Sequence, residues 1–283
     1  MFAEMKTLVA QAQQGHYALL AINCVNMETA RAAIRVAEQH RAPIILNLYQ
    51  AHLAHFPADI AFPLVKSLAE KAQVPVTLSL DHGKDPGHIH RCFRAGFSGL
   101  MIDASAFPLE ENVQQTRAVV ELAASAGVCV EGELGHLGDA PVYNHATNRD
   151  LMTNPADVAP FIARTGIDLL AVSVGTAHGM YPEGVTPEID FDRLAAVYRE
   201  SSVPLALHGG SGTPFGELAR CPQFGVAKIN VGAAVFDAGK NALLHTLCHD
   251  KNRDMDAVMA AMEEACMAAI EPYLEASGAI GKA

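Results

Sequence analysis

Asp81-His82, Asp103, Glu133, His178, His208 and Asn230 are the residues of this chain best suited to chemistry, because each stands just after a short apolar run. His82, His178 and His208 are three of 13 histidines, and three imidazoles brought together from separate segments make an open tridentate zinc site with a fourth position left for substrate. A lone histidine at a rim is ordinarily a hydrogen-bonded surface group; three at equivalent segment ends read as a ligand set. Asp81 adjoins His82, so strand alternation would send the two side chains in different directions, one to a metal and the other to a bound substrate. A base beside a Lewis acid is what proton abstraction or carbon–carbon cleavage requires; the competing role for Asp81 is to orient a ligand histidine. Asp103 and Glu133 read as carboxylates that orient the ligands or offer an alternate metal position. Glu131 shares a face with Glu133 one layer deeper and is expected in a core ion pair with Lys228. The remaining histidines, among them His52, His55, His88, His90, His136 and His145, fall in expected loops or helices and read as solvated surface.

The elements that must hold these residues are eight apolar runs, over 17–23, 43–49, 75–81, 99–103, 128–133, 168–174, 204–208 and 226–231. Each is rich in Val, Ile and Leu and most are followed by helical spacing, over 28–40, 58–73, 86–95, 110–126, 155–164 and 191–200. Runs that are apolar throughout suit strands buried on both faces. Eight βα units predict an α/β chain folded as one (β/α)8 barrel over 1–283, in which chemistry sits where strands end. Residues 1–15 read as a helix closing the barrel floor, and 254–276 as an additional C-terminal helix whose apolar face carries Met255, Val258, Met259, Met262 and Cys266. The turn His208-Gly209-Gly210-Ser211-Gly212 after run seven and Asn230-Val231-Gly232-Ala233 after run eight stand where such barrels bind phosphate on backbone amides.

Composition narrows the function classes. Twenty basic against 31 acidic residues give −11, with no basic cluster to follow a phosphate backbone, so nucleic-acid binding is not expected. No apolar stretch approaches the roughly 18 residues that span a bilayer, and the first residues are too polar for a signal peptide. Six cysteines without CxxC spacing read as free thiols in a reducing compartment. A cytoplasmic protein with a small-molecule substrate is the expectation, and the C-terminal helix is a candidate surface for a homo-oligomer, a dimer or tetramer.

The ordered motifs Leu80-Asp81-His82, Met101-Ile102-Asp103-Ala104-Ser105, Val130-Glu131-Gly132-Glu133-Leu134-Gly135, Gly175-Thr176-Ala177-His178-Gly179, Leu207-His208-Gly209-Gly210-Ser211-Gly212 and Lys228-Ile229-Asn230-Val231 resemble the class II, zinc-dependent ketose-bisphosphate aldolases, the tagatose-bisphosphate enzymes above all. The likeness extends over nearly the whole chain. It implies an oligomeric barrel that splits a ketose phosphate reversibly into dihydroxyacetone phosphate and an aldehyde through a metal-stabilised enediolate. It makes His82, His178 and His208 the ligands of Zn2+ and Asp81 the acid/base at the C4 hydroxyl. Asn23 falls near the cleaved bond; Gly179, Gly209, Ser211 and Asn230 hold the ketone fragment. Gly210, Ser211, Gly232 and Ala233 offer amides to the donor phosphate, beside which a monovalent cation, Na+ or K+, is expected.

Departures from the family pattern bear on substrate. Ala233 stands where the family commonly has a phosphate-binding threonine, and Glu183 of Met180-Tyr181-Pro182-Glu183 where a lysine is common. Asp256 aligns with an arginine that reaches the second phosphate, Arg253 lying nearby. Strand 2 ends in Asn47-Leu48-Tyr49-Gln50-Ala51, without the small hydroxyl and glycine residues that commonly assist there. The segment 138–153 lacks the family's proton-transferring glutamate; Asp139, Tyr143, His145 and Asp150 are its candidates. Two other classes stay open: a metal-dependent hydrolase, which would usually carry a His-x-His pair where this chain has Ala21-Ile22-Asn23, and a non-catalytic binding or assembly subunit.

Overall fold

The structure is a computed structural model that describes residues 1–142, 144, 149, 151–249 and 251–283. Eight parallel strands close on themselves in sequence order: β1 Leu19–Asn23, β2 Ile44–Tyr49, β3 Val76–Gly83, β4 Gly99–Ile102, β5 Cys129–Leu134, β6 Leu169–Val172, β7 Leu205–Leu207 and β8 Val226–Val231. β1 completes the ring against β8, with Leu20 beside Ile229. Nearly every strand residue is buried, polar Thr77, Ser79, Glu131 and Lys228 along with the Val, Ile and Leu positions, because one face fills the barrel and the other meets helices.

Ten helices accompany them among the described residues: α1 Met5–Gln14, α2 Met27–Gln39, α3 Ala58–Lys71, α4 Pro86–Ala95, α5 Leu109–Ala123, α6 Pro155–Thr165, α7 Phe191–Glu200, α8 Phe215–Leu218, α9 Ala233–His249 and α10 Met255–Ser277. Local chemistry starts several of them. Asn26 caps α2 in a reciprocal box with Thr29, Asp85 caps α4 ahead of Pro86, and Asn154 caps α6 ahead of Pro155. The first residues close the floor: the terminal ammonium donates to the Ala72 and Val74 carbonyls at 2.9 Å, and the Met5 amide to Ser98 Oγ at 2.7 Å.

α10 packs on α2 and α9, burying Val258, Met262 and Cys266. Arg35 on α2 fastens it at 2.8 Å to the buried Glu263. Met255 does not join that face; it is 73% exposed. α9 is an element the sequence reading did not assign, and it buries only Val235 and Gly239.

Two registers shift around the ring. Between β3 and β4 the pairing runs from Leu80 beside Leu100 to Gly83 beside Ile102, so three residues of β3 span two of β4. His82, inside this bulge, has a φ of +48°. Bulges of this kind re-aim side chains at barrel rims.

Candidate active site

The strand ends surround a cavity of about 500 Å³ at the carboxyl mouth of the barrel. Asp81 and His82 both line it. Alternation predicted divergent side chains; the bulge overrides it and sets His82 Nε2 4.0 Å from Asp81 Oδ1. The Asp81 carboxylate and the His82 ring therefore face the same space.

Asp81 is held by two amides, Asn23 Nδ2 donating to Oδ2 at 2.7 Å and Asn230 Nδ2 to Oδ1 at 3.0 Å. Burial alone would raise its pKa, but the charges of His82, His208 and Lys228 and the Asn23 amide carry it down to about 2. Asp81 is thus an anion that accepts from both side-chain amides and remains open to a substrate.

The three histidines converge: one ring nitrogen from each of His82, His178 and His208 lies within 4.8 Å of the others. The far nitrogens of two are committed. His82 Nδ1 meets Asp103 Oδ2 at 2.9 Å, and His208 Nε2 meets Glu131 Oε1 at 2.7 Å. Their free nitrogens, His82 Nε2 and His208 Nδ1, face one another at 2.9 Å. His178 is placed by backbone, its amide donating to the Gly138 carbonyl at 2.8 Å and its carbonyl accepting from Ala140 at 2.7 Å. Against burial, Asp81 and Asp103 raise His82 to about 9, whereas burial and the other two rings lower His178 to about 3.

Glu131 reaches further than an ion pair. Its second oxygen accepts from Lys228 Nζ at 2.7 Å, so one buried carboxylate joins the lysine to His208. Asp103 also accepts from Ser105 Oγ at 2.7 Å, with Lys84 Nζ 3.1 Å away. Glu133 stands 3.7 Å from His82 Nδ1 with Oε2 buried and unpartnered, and burial pushes its carboxyl up to about 7. His82, Asp103 and Glu133 form a second convergent group. Three imidazoles of borderline softness, two of them oriented from behind by carboxylates, fit a zinc ion, and the orphaned Glu133 oxygen fits a second position for it.

Gly209 adopts a φ of +70°, and a Cβ there would meet the Ala177 carbonyl oxygen at 2.5 Å; only glycine allows the β7 turn to pass so close to the β6 loop. Gly179, Gly209, Ser211, Gly232 and Ala233 line the cavity, as do Asn23 and Asn230. Gly210 does not. Its amide, expected to face a phosphate, instead donates to the Asn230 carbonyl at 3.0 Å and ties β7 to β8. Ser211 Oγ accepts from the Gly232 and Ala234 amides at 3.3 and 3.2 Å, tying the β7 turn to the start of α9. Asp139 lines the cavity; the candidates Tyr143, His145 and Asp150 lie outside the described residues.

Tyr49, His52, Lys84, His136 and Phe236 also line the cavity, and sequence reasoning had named none of them for the site. His52 and His136 had been assigned to solvated surface. His136 Nδ1 instead lies 3.0 Å from Ser105 Oγ, and His52 packs between Tyr49 and Phe236. Spacing carried no signal for these two histidines, because a short 3₁₀ turn brings in His52 and the loop after β5 brings in His136.

The profile of the family described as "Fructose-bisphosphate aldolase class-II" matches residues 3–282. The chain belongs to this family and is accordingly an aldolase, a carbon–carbon lyase. It is 36% identical over 241 residues to the D-tagatose-1,6-bisphosphate aldolase subunit GatY of Klebsiella oxytoca, covering 85% of this chain and 84% of that one. It is 35% identical over 243 residues to the protein YdjI of Escherichia coli K12, covering 86% and 87%. The crystal structure of the YdjI aldolase superposes with a TM-score of 0.88 at 30% identity over 100% of both chains.

Proposed function

We propose that the chain is a zinc-dependent aldolase that reversibly splits a ketose phosphate into dihydroxyacetone phosphate and an unphosphorylated aldehyde. The observation that carries this reading is Asp81, kept anionic between Asn23 and Asn230 and 4.0 Å from a ring of the three-imidazole cluster. His82 Nε2, His208 Nδ1 and His178 would hold the ion. Zinc held there would supply a Lewis acid for the C2 carbonyl, the group that accepts the electron pair when the C3–C4 bond breaks. Asp81 takes the proton of the C4 hydroxyl as that oxygen becomes the aldehyde, and its two amide donors hold the carboxylate in line throughout. Gly179, Gly209 and Asn230 surround the ketone fragment, and the Ser211 and Ala233 amides face its phosphate. A monovalent cation beside that phosphate belongs to the same proposal, on the family resemblance.

The limit to one phosphate rests on charge. Lys84 is the one lysine or arginine among the described residues lining the cavity, and it is engaged with Asp103. Asp256 and Arg253 are exposed and do not line it. Charge-assisted contacts contribute about 1.5 to 3 kcal/mol each, so a second phosphate gains little here. The test is kcat/KM for aldehyde release across ketose monophosphates, bisphosphates and free ketoses. The monophosphate is expected to be turned over at least as well as the bisphosphate; a bisphosphate preferred by more than about a hundredfold, about 2.7 kcal/mol, defeats the reading.

The proposal extends to a cytoplasmic homo-oligomer. Six unpaired cysteines fit a reducing compartment, and no described helix is long and apolar enough to cross a membrane. Exposed Leu244, Leu247 and Met255 at the α9–α10 turn fit a subunit contact.

A further inference from the structure

We infer that Tyr49, His52 and Phe236 form the acceptor subsite, a wall of rings that takes an unphosphorylated polyhydroxylated aldehyde and turns a terminal phosphate away. The inference rests on the aldolase reading above and names the half of the substrate that the metal cluster does not touch. On that reading the ketone fragment lies against the loops after β6, β7 and β8, whose Gly179, Gly209, Ser211 and Ala233 line the cavity. Asp81 on β3 marks the C4 oxygen. Atoms beyond C4 therefore lie on the β2 side, where Tyr49 pairs in register with Asp81.

Three rings meet there edge to face. Tyr49 and His52 centroids are 5.3 Å apart at 84°, His52 and Phe236 5.5 Å apart at 76°, and Tyr49 stands 5.9 Å from the His82 ring. Phe236 comes from the first turn of α9 and Tyr49 from the end of β2, so the wall is built by elements fixed to the barrel. His52 Nδ1 is buried with no hydrogen-bond partner in the folded chain. Leaving a buried polar atom unpaired costs about 1 to 3 kcal/mol, a cost that a ligand hydroxyl would relieve. Burial holds the His52 imidazole below its ordinary range, against the pull of Asp81, so it meets the ligand as a neutral ring. Neutral imidazole and two aromatic faces suit the C–H faces and hydroxyls of a sugar. A phosphate dianion placed there would lose its hydration, and Lys84, the one lysine or arginine of the described lining, is already held by Asp103 at 3.1 Å.

The experiment inserts that cation. In His52→Lys, kcat/KM for a ketose bisphosphate relative to the matching monophosphate should rise about 10- to 100-fold over the wild-type ratio, the value of one charge-assisted contact. Tyr49→Lys, at a position already 36% exposed, should shift the ratio the same way and serves should the buried variant fold poorly. His52→Ala should raise KM for the unphosphorylated aldehyde in the condensation direction about three- to tenfold, with little change in kcat. Unmoved ratios in both lysine variants overturn the wall. Wild-type protein that exchanges no α-proton of dihydroxyacetone phosphate overturns the aldolase reading itself, so the two failures are told apart.

Discussion

Glu131→Gln separates what this buried carboxylate does for stability from what it does for the metal. Glu131 is 1% exposed and bridges Lys228 Nζ and His208 Nε2, each at 2.7 Å. Glutamine keeps the shape but not the charge. If its carbonyl accepts from Lys228, its NH2 faces His208 Nε2 and forces the imidazole proton onto Nδ1, the atom aimed at His82. If the amide flips, its NH2 opposes the ammonium. Breaking a buried pair from one side costs about 3 to 5 kcal/mol, which for a chain of this size lowers Tm by roughly 5 to 15 °C. Misdirecting the ligand tautomer should weaken zinc affinity about 10- to 100-fold. Chelator competition reads the affinity and thermal melts of the metal-free protein read the stability. The pair Glu131→Gln with Lys228→Met should recover much of the stability, since no buried ammonium is left unpaired, while the zinc defect persists. Recovery of both together would refute the orienting role, and a single variant that loses less than about 1 kcal/mol would refute the buried-pair argument.

Two further outcomes follow from the site. His208→Ala should abolish both tight metal binding and aldehyde release; full activity in metal-free protein would defeat the zinc reading. Asp81→Asn should keep the metal and lose about 10²- to 10⁴-fold in cleavage, the usual contribution of a general acid–base group, with α-proton exchange of dihydroxyacetone phosphate suffering less; equal loss of both would reassign Asp81 to orienting a ligand.

The sequence revealed most of the barrel because the strands are buried on both faces and so are dense in Val, Ile and Leu, and β8 was delimited to the residue even with Lys228 and Asn230 inside it. α9 escaped because it buries only Val235 and Gly239 and interrupts its apolar residues with Asp237, Lys240 and Asn241, so no stripe of helical period marks it. In the site, Asp81, His82, Asp103, Glu133, His208 and Asn230 were legible from their position at strand ends, whereas Asn23 was assigned through the family resemblance and Tyr49, which also ends a strand, was not assigned. His52 and Phe236 were not: one arrives on a short 3₁₀ turn, the other on the unassigned helix, and only tertiary packing brings their rings together. The Gly210 amide was assigned to a ligand for a similar reason, since composition cannot tell a turn that offers its donors from one that spends them on the neighbouring strand.

The bulge at Asp81-His82 carries the last prediction. Strand alternation would turn one of the two side chains away from the mouth, and one extra residue opposite β4 undoes this. The consequence is a histidine at a φ of +48°, a left-handed conformation that costs a residue with a Cβ about 1 to 2 kcal/mol. Asp103 offsets that by holding His82 Nδ1 at 2.9 Å and by donating its own amide to the Gly83 carbonyl at 2.9 Å. In metal-free protein, His82→Ala loses the Asp103 contact yet keeps the Cβ strain, whereas His82→Gly loses the contact and the strain together. Glycine in a strand ordinarily weakens it, so the usual order is alanine above glycine. Here the order should reverse, with His82→Gly about 0.5 to 1 kcal/mol more stable than His82→Ala in denaturant melts. A more stable alanine variant would mean that His82 sits on regular strand, and that base and ligand reach the mouth by some route other than the bulge.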